Sequence, residues 1–167
     1  MEKKLNVSNL NSRNVPEEVF YQRLALLKSM DFDEEDLKRP FIVVINPWNE
    51  LLPGHYHLRR LARAVKAGIW QAGGMPLEFG HIAPCDGLAD ANIGNHWILP
   101  SRDIIAASIE MMVESSRVDG IVALSTCDKI VPAQLMALAR ITPAIFLRVT
   151  CSSTPSGQGP PSSAKSD

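Results

Sequence analysis

Two hydrophobic periodicities alternate along the chain. From Pro16 to Leu27 (PEEVFYQRLALL) apolar residues recur near a 3.6 period behind a proline and the acids Glu17 and Glu18, which predicts an amphipathic helix with Pro16 at its first position. Beyond Pro40 the pattern changes to the unbroken β-branched run Phe41-Ile42-Val43-Val44-Ile45, the signature of a strand buried on both faces. A helical stripe returns from His57 to Ala72. Leu58, Leu61, Ala62, Val65 and Ile69 lie on its inner face, Arg59, Arg60, Arg63 and Lys66 on its outer face, and Gly73-Gly74 ends it. A second strand is predicted over Met75 to Ala83. The next helix should start at Pro100-Ser101 with Ser101 as cap, carry Ile105, Ile109, Met112 and Val113 inward, and end near Ser116. Gly120 to Leu124, Pro132 to Arg140 and Pro143 to Val149 complete the series as strand, helix and strand.

This β-α-β-α-β-α-β alternation predicts an α/β fold, a mostly parallel sheet with helices on its faces and right-handed crossovers. No helix follows the last strand, so the fold reads as incomplete. Cys151 to Asp167 hold six Ser, three Pro and two Gly without a large apolar residue, too little to offset the entropy of ordering. The expected organisation is therefore an N-terminal helical lead-in over 1–40, a parallel α/β domain over 41–149 and a disordered Ser/Pro/Gly-rich tail over 150–167.

Composition narrows the function. The 167 residues include 17 Lys or Arg against 18 Asp or Glu, and 46% are apolar, which is ordinary for a soluble globular protein. The balanced charge argues against a protein whose main partner is nucleic acid, since such binders usually show a basic excess or stripe. No apolar run approaches the roughly 18 residues of a membrane span, and the start has no signal-peptide pattern. A cytoplasmic address is expected. Cys85, Cys127 and Cys151 are odd in number and widely spaced, which predicts free thiols or metal ligands rather than disulfides.

In open parallel sheets the working crevice lies beyond the carboxyl ends of the strands, and three loops there carry chemistry. Asn46 to His57 brings His55 and His57, the second loop brings Cys85-Asp86-Gly87, and the third brings Cys127-Asp128-Lys129. Paired acids suit a hard cation such as Mg²⁺, and a neighbouring thiolate suits zinc or an iron–sulfur cluster. Asp86-Gly87 reads equally as a turn, Asp128 as a helix cap and Lys129 as a solvated charge. His55 and His57, two residues apart, read as loop hydrogen-bonders or substrate contacts. No Gly-rich phosphate cradle or nucleophile elbow is present.

The ordered motifs Pro53-Gly54-His55 with His57-Leu58, Ala72-Gly73-Gly74 with Glu78-Phe79, Asp86-Gly87, Leu99-Pro100-Ser101-Arg102 and Cys127-Asp128-Lys129-Ile130 with Pro132 resemble the N-terminal portion of the dihydroxy-acid dehydratase and phosphogluconate dehydratase family of Fe–S hydro-lyases, from about Phe41 to Leu147. The resemblance implies a hydro-lyase that converts a 2,3-dihydroxy acid to a 2-oxo acid and water, here as a truncated N-terminal fragment. The alternative is an inactive remnant serving as a metal-binding or interaction module. It further implies Cys127 as an iron–sulfur ligand and Asp86, Asp128 and a carbamylated Lys129 as Mg²⁺ ligands, with Lys129 also catalytic. His55, Ser101 and Arg102 are implied as contacts to a small hydroxy-acid substrate. Gly54 stands where some members have a cysteine ligand, which favours [4Fe-4S] over [2Fe-2S]. Leu88 to Trp97 replace a familiar Met-Gly-His pattern, and Cys85 resembles the sugar-acid members. The full-length form is expected to be a homo-oligomer, since the last strand's edge and face would otherwise meet water.

Overall fold

Why Phe41–Ile45 is apolar at every position becomes plain in the computed structural model, which describes residues 16–141 and 143–149. This strand, β1, lies between β2 (Met75–Phe79) and β3 (Gly120–Ser125), and β4 (Ala144–Arg148) completes the order β2-β1-β3-β4. All neighbours are parallel, with Val43 opposite Leu77 and Ile121, and Val122 opposite Ile145. The expected α/β class is the one observed.

The helices are α1 (Glu17–Lys28), α2 (Pro53–Tyr56), α3 (Leu58–Gln71), α4 (Asp86–Ala89), α5 (Ile98–Ser116) and α6 (Ile130–Leu138). Because side chains alternate along a strand, β1 serves two cores. Val43 and Ile45, with Ile121 and Ala123, pack against Ile105 and Ile109 of α5 and Ile130 and Ala133 of α6. Val44 and Leu124 turn the other way, onto Leu58 and Ala62 of α3. The connection from β1 to β2 steps one way along the sheet and the later ones step back. Right-handed crossovers then put α3 on one face and α5 and α6 on the other. The chain leaves β1 and β3 toward opposite faces, so a crevice opens between their carboxyl ends.

At the amino ends of the strands, Phe20, Leu24 and Leu27 of α1 join Leu37, Phe41 and Met75 in a smaller core. The Asp119 carboxylate accepts the Phe41 N–H at 2.8 Å and ties β3's entry to that of β1. Gly73 ends α3 with φ +84°, and a Cβ on Gly74 would lie 3.0 Å from the Ile69 side chain and 3.2 Å from that of Ile42. The glycine pair thus combines a left-handed stop with a close approach of helix to sheet.

Several boundaries differ from the sequence expectation. Pro16 precedes α1 as its cap rather than opening it. β2 stops at Phe79 instead of Ala83, because its partner β1 ends at Ile45 and the Asn46 N–H takes the Phe79 carbonyl as the last rung. A 3-10 turn over Ile93–Trp97 runs directly into α5, which therefore begins at Ile98. Pro100 sits in its first turn, where a missing N–H costs nothing. Ser101 is consequently inside the helix and donates to the Ile98 carbonyl at 2.6 Å, so it is not the cap. Met112 is 45% exposed and Ala106 takes the inward place. α6 begins and ends two residues earlier than expected.

β4 is the least covered strand. Ile145 is 65% exposed and Leu147 38%, and both lie on the α3 face by register with Val122 and Leu124. Among the described residues no helix is long and apolar enough to cross a membrane. The tail expected over 150–167, including Cys151, lies outside the described residues.

Candidate functional site

Two side-chain amides shape the first loop. Asn46 extends β1 and donates through Nδ2 to Glu78 at 2.9 Å, while its Oδ1 accepts the Trp48 N–H at 3.1 Å. Asn49 Oδ1 accepts the Leu51 N–H at 3.1 Å. These turns deliver Pro53 to the first position of α2, where its ring suits the helix start. One turn on, His55 is fully buried.

The third loop is tighter. β3 is buried along its whole length and passes into α6 through Thr126, Cys127, Asp128 and Lys129. The reversal is made by Cys127, whose φ of +66° puts a non-glycine residue in the left-handed region. Its carbonyl accepts the Val131 N–H at 3.2 Å and begins the helical bonding.

Residues from all three loops meet at this edge. Cys127 Sγ lies 3.9 Å from His55 Nδ1, joining loops that leave β3 and β1. Lys129 Nζ lies 2.5 Å from Asp128 Oδ2 and 3.7 Å from Asp86 Oδ2, joining the third loop to the second. Asp128 therefore spends its carboxylate on Lys129, and α6 has no side-chain cap, which sets aside the capping alternative. Asp86 opens the one-turn α4, and its Oδ1 accepts the Gly87 N–H at 3.1 Å. A cavity of about 310 Å³ adjoins Lys129, lined by Asp86, Asp90, Asn95 and Leu99 among others.

The electrostatics follow from these contacts. The hydrogen bond from Lys129, reinforced by its charge, holds the Asp128 carboxyl below its usual range. The same bond raises the Lys129 ammonium, and the charge of Asp86 adds to the effect. Burial, with His81 and His57 nearby, pushes His55 down to about 4, so the ring is neutral at pH 7. Its Nε2 is buried without a partner among the described residues, as are Ser125 Oγ, Thr126 Oγ1 and Arg102 Nε. Buried polar groups are ordinarily satisfied, so these atoms are open to a further partner.

Arg102 follows Ser101 in the first turn of α5 and is half-buried. Neither is among the side chains lining the cavity beside Lys129. Cys85 stands at the N-cap position of α4 without a side-chain cap bond and, like Cys127, is half-buried and outside any disulfide.

One buried pair escaped the sequence reading. Gln134 Nε2 donates to the Leu124 carbonyl at 2.9 Å and contacts His81 Nε2 at 3.0 Å. His81 Nδ1 is 2.6 Å from the Ile82 carbonyl, which it can satisfy only as a donor, so His81 Nε2 accepts from Gln134. The signal was a lone polar residue in the apolar run Ile130 to Leu138. Among the described residues no group of three or more His, Cys, Asp or Glu is gathered to hold a metal ion.

Comparisons with known proteins agree on one family. The family model described as "Dihydroxy-acid/6-phosphogluconate dehydratase N-terminal" matches residues 39–158. The chain is 53% identical over 124 residues to a dihydroxy-acid dehydratase of Pyrococcus furiosus, covering 74% of this chain and 22% of that protein. Dihydroxy-acid dehydratase 1 of Methanosarcina acetivorans is 52% identical over 124 residues, with the same coverage. A dihydroxy-acid dehydratase of Ignicoccus hospitalis is 50% identical over 123 residues, again 74% and 22%. The chain spans about a fifth of the length of these curated relatives.

Proposed function

Since the chain belongs to the dihydroxy-acid/6-phosphogluconate dehydratase family, matching its N-terminal part, we propose that it contributes the cation-binding edge of a hydro-lyase that takes a 2,3-dihydroxy acid or sugar acid to a 2-oxo acid and water. The observation that carries this reading is the convergence of Asp86 and Asp128 on one cation, the Lys129 ammonium.

That ammonium is a stand-in. It occupies the place between two carboxylates that a hard cation such as Mg²⁺ favours, and the donor set fits Mg²⁺ once Lys129 gives up its positive charge. Carbamylation does this: the neutral amine adds CO₂, releases a proton and presents two oxygens that share one negative charge. Asp86, Asp128 and carbamylated Lys129 would then hold the ion. When bound it supplies Lewis acidity toward the departing C3 hydroxyl. Lys129, touching both acids, is the residue assigned to catalysis within this proposal.

The remaining residues bind and orient. Arg102, with its buried unpartnered Nε, is suited to a substrate carboxylate. Neutral His55 offers its orphaned Nε2 to a substrate hydroxyl. Ser101 enters with its hydroxyl hydrogen already committed to Ile98 and can only accept. Cys127 is proposed as one ligand of an iron–sulfur cluster, in the [4Fe-4S] form. Such a cluster takes four thiolates or their equivalents, and the described residues offer two thiols, Cys85 and Cys127. Two thiols are fewer than a complete cluster takes. The second reading is a metal-binding or interaction module without turnover. A cytoplasmic location belongs to the same proposal, since free thiols suit a reducing compartment, and so does a homo-oligomeric full-length form.

The test is anaerobic reconstitution of the full chain with iron and sulfide, then an assay of 2-oxo acid formation from 2,3-dihydroxy and sugar acids with Mg²⁺ and bicarbonate. Product formation lost in Asp86→Asn supports the dehydratase reading. Mg²⁺ binding lost in the same variant without turnover supports the module, and no Mg²⁺ binding overturns both.

A further inference from the structure

The outer face of α3 borders a second cavity, of about 350 Å³, that shares no lining residue with the one beside Lys129. Arg59, Arg60 and Arg63 form one wall. Residues three and four apart on a helix are neighbours, so three guanidinium groups crowd into little more than one turn. None of the ion pairs formed among the described residues involves any of them. Glu50 is the single acid in the lining, which leaves the cavity positive.

Exposed arginines on a helix are usually a solvated face, and two further features separate this cluster from that case. The Arg59 guanidinium stacks on Trp48, 4.7 Å from the ring centroid, which fixes the fork while its in-plane N–H donors stay available. His57, also in the wall, has a buried Nε2 without a partner among the described residues. The cavity thus holds a pre-oriented fork, two further forks and an orphaned ring nitrogen, and Tyr56 stands exposed at its margin.

We propose that this cavity binds the phosphate group of a small anion. A guanidinium pairs with two oxygens at once, and a phosphate monoester offers three oxygens and close to two negative charges to three forks. A carboxylate, with two oxygens and one charge, satisfies one. The site stands apart from the dehydratase reading and survives its failure.

The test titrates the full chain at low salt with inorganic phosphate, glucose 6-phosphate and glucose, by calorimetry and by the NMR signals of the His57 ring. Binding of inorganic phosphate and glucose 6-phosphate alike identifies the phosphate group as the determinant, and preference for the ester assigns the site to a phosphorylated metabolite. Glucose should not bind. The variant Arg60→Gln/Arg63→Gln, altered at exposed positions only and checked by its thermal melt, should weaken phosphate binding at least tenfold, and Arg59→Lys should weaken it less. Absence of phosphate and ester binding at about 10 mM, corresponding to less than roughly 3 kcal/mol of affinity, overturns the proposal. Equal affinity in the double variant, or a His57 ring that does not respond, also overturns it.

Discussion

Cys127 Sγ lies 3.9 Å from His55 Nδ1, and this contact spans the two loops that leave neighbouring strands toward opposite faces of the sheet. The thiol and the imidazole are 72 residues apart in sequence. They meet because β1 and β3 are adjacent, with Ile45 at the end of β1 opposite Ala123, two residues before the end of β3.

His55 makes stability depend on pH. Its pKa is lowered from 6.5 to about 4, by burial first and then by His81 and His57. Between those values the unfolded chain takes up a proton that the folded chain refuses, so stability falls as pH drops through this window. The loss reaches about 3 kcal/mol at the lower end. Burial lowers His81 as well and acts in the same direction. Urea melts from pH 7 to 4.5 should show the decline, and His55→Leu should flatten it. An unchanged profile in that variant would place the proton elsewhere.

Lys129 should resist carbamylation until Asp128 is altered. CO₂ adds only to the free amine, and the Asp128 hydrogen bond holds Lys129 protonated above its usual range. With ¹³C-bicarbonate and no divalent cation, Asp128→Asn should show the carbamate NMR signal at lower pH than the parent chain. The same lower onset should appear, more weakly, in Asp86→Asn, whose carboxylate is more distant at 3.7 Å.

Gln134 ties three elements together. Its replacement by leucine strands the Leu124 carbonyl and His81 Nε2 in the interior, which costs about 1–3 kcal/mol. Chemical denaturation measures the loss. Because His81 and Gln134 share one hydrogen bond, adding His81→Leu should cost less than the sum of the two single changes. Strict additivity would show that the two side chains do not act as a pair.

Most of the fold was legible because its signals are local. Phe41–Ile45 and Gly120–Ser125 announce themselves as continuous β-branched or small apolar runs, and the Leu58 to Ile69 stripe sets one face of α3. Strand ends named the loops that carry Asp86 and Lys129, and those two side chains do meet. The end of β2 was not legible, because a strand stops where its neighbour stops, at Ile45, and periodicity within Met75 to Ala83 does not contain that information. Ser101 misled for a related reason. A serine before an apolar run suggests a cap, but the turn over Ile93–Trp97 had already started the helix. The Gln134 and His81 pair was hidden by a sequence separation of 53.

The uncovered part of β4 should govern self-association. Ile145 and Leu147 expose apolar surface on the α3 face of the sheet, and an open edge beside such a patch invites contact. Ile145→Thr with Leu147→Thr should lower the sedimentation-average mass at high concentration and leave the melting temperature nearly unchanged. Equal self-association in parent and variant would place the contact on another surface.

With Cys127 in its proposed role as a cluster ligand, its left-handed turn would put foldability and ligand capture in competition at one codon. A side chain at φ +66° costs about 1–2 kcal/mol that glycine would not incur, and glycine would also discard the sulfur. A library randomised at this position and selected for heat tolerance alone should drift toward glycine. Selection for metal or cluster retention should hold cysteine, and sequencing the two survivor pools would separate what the turn demands from what the thiol does.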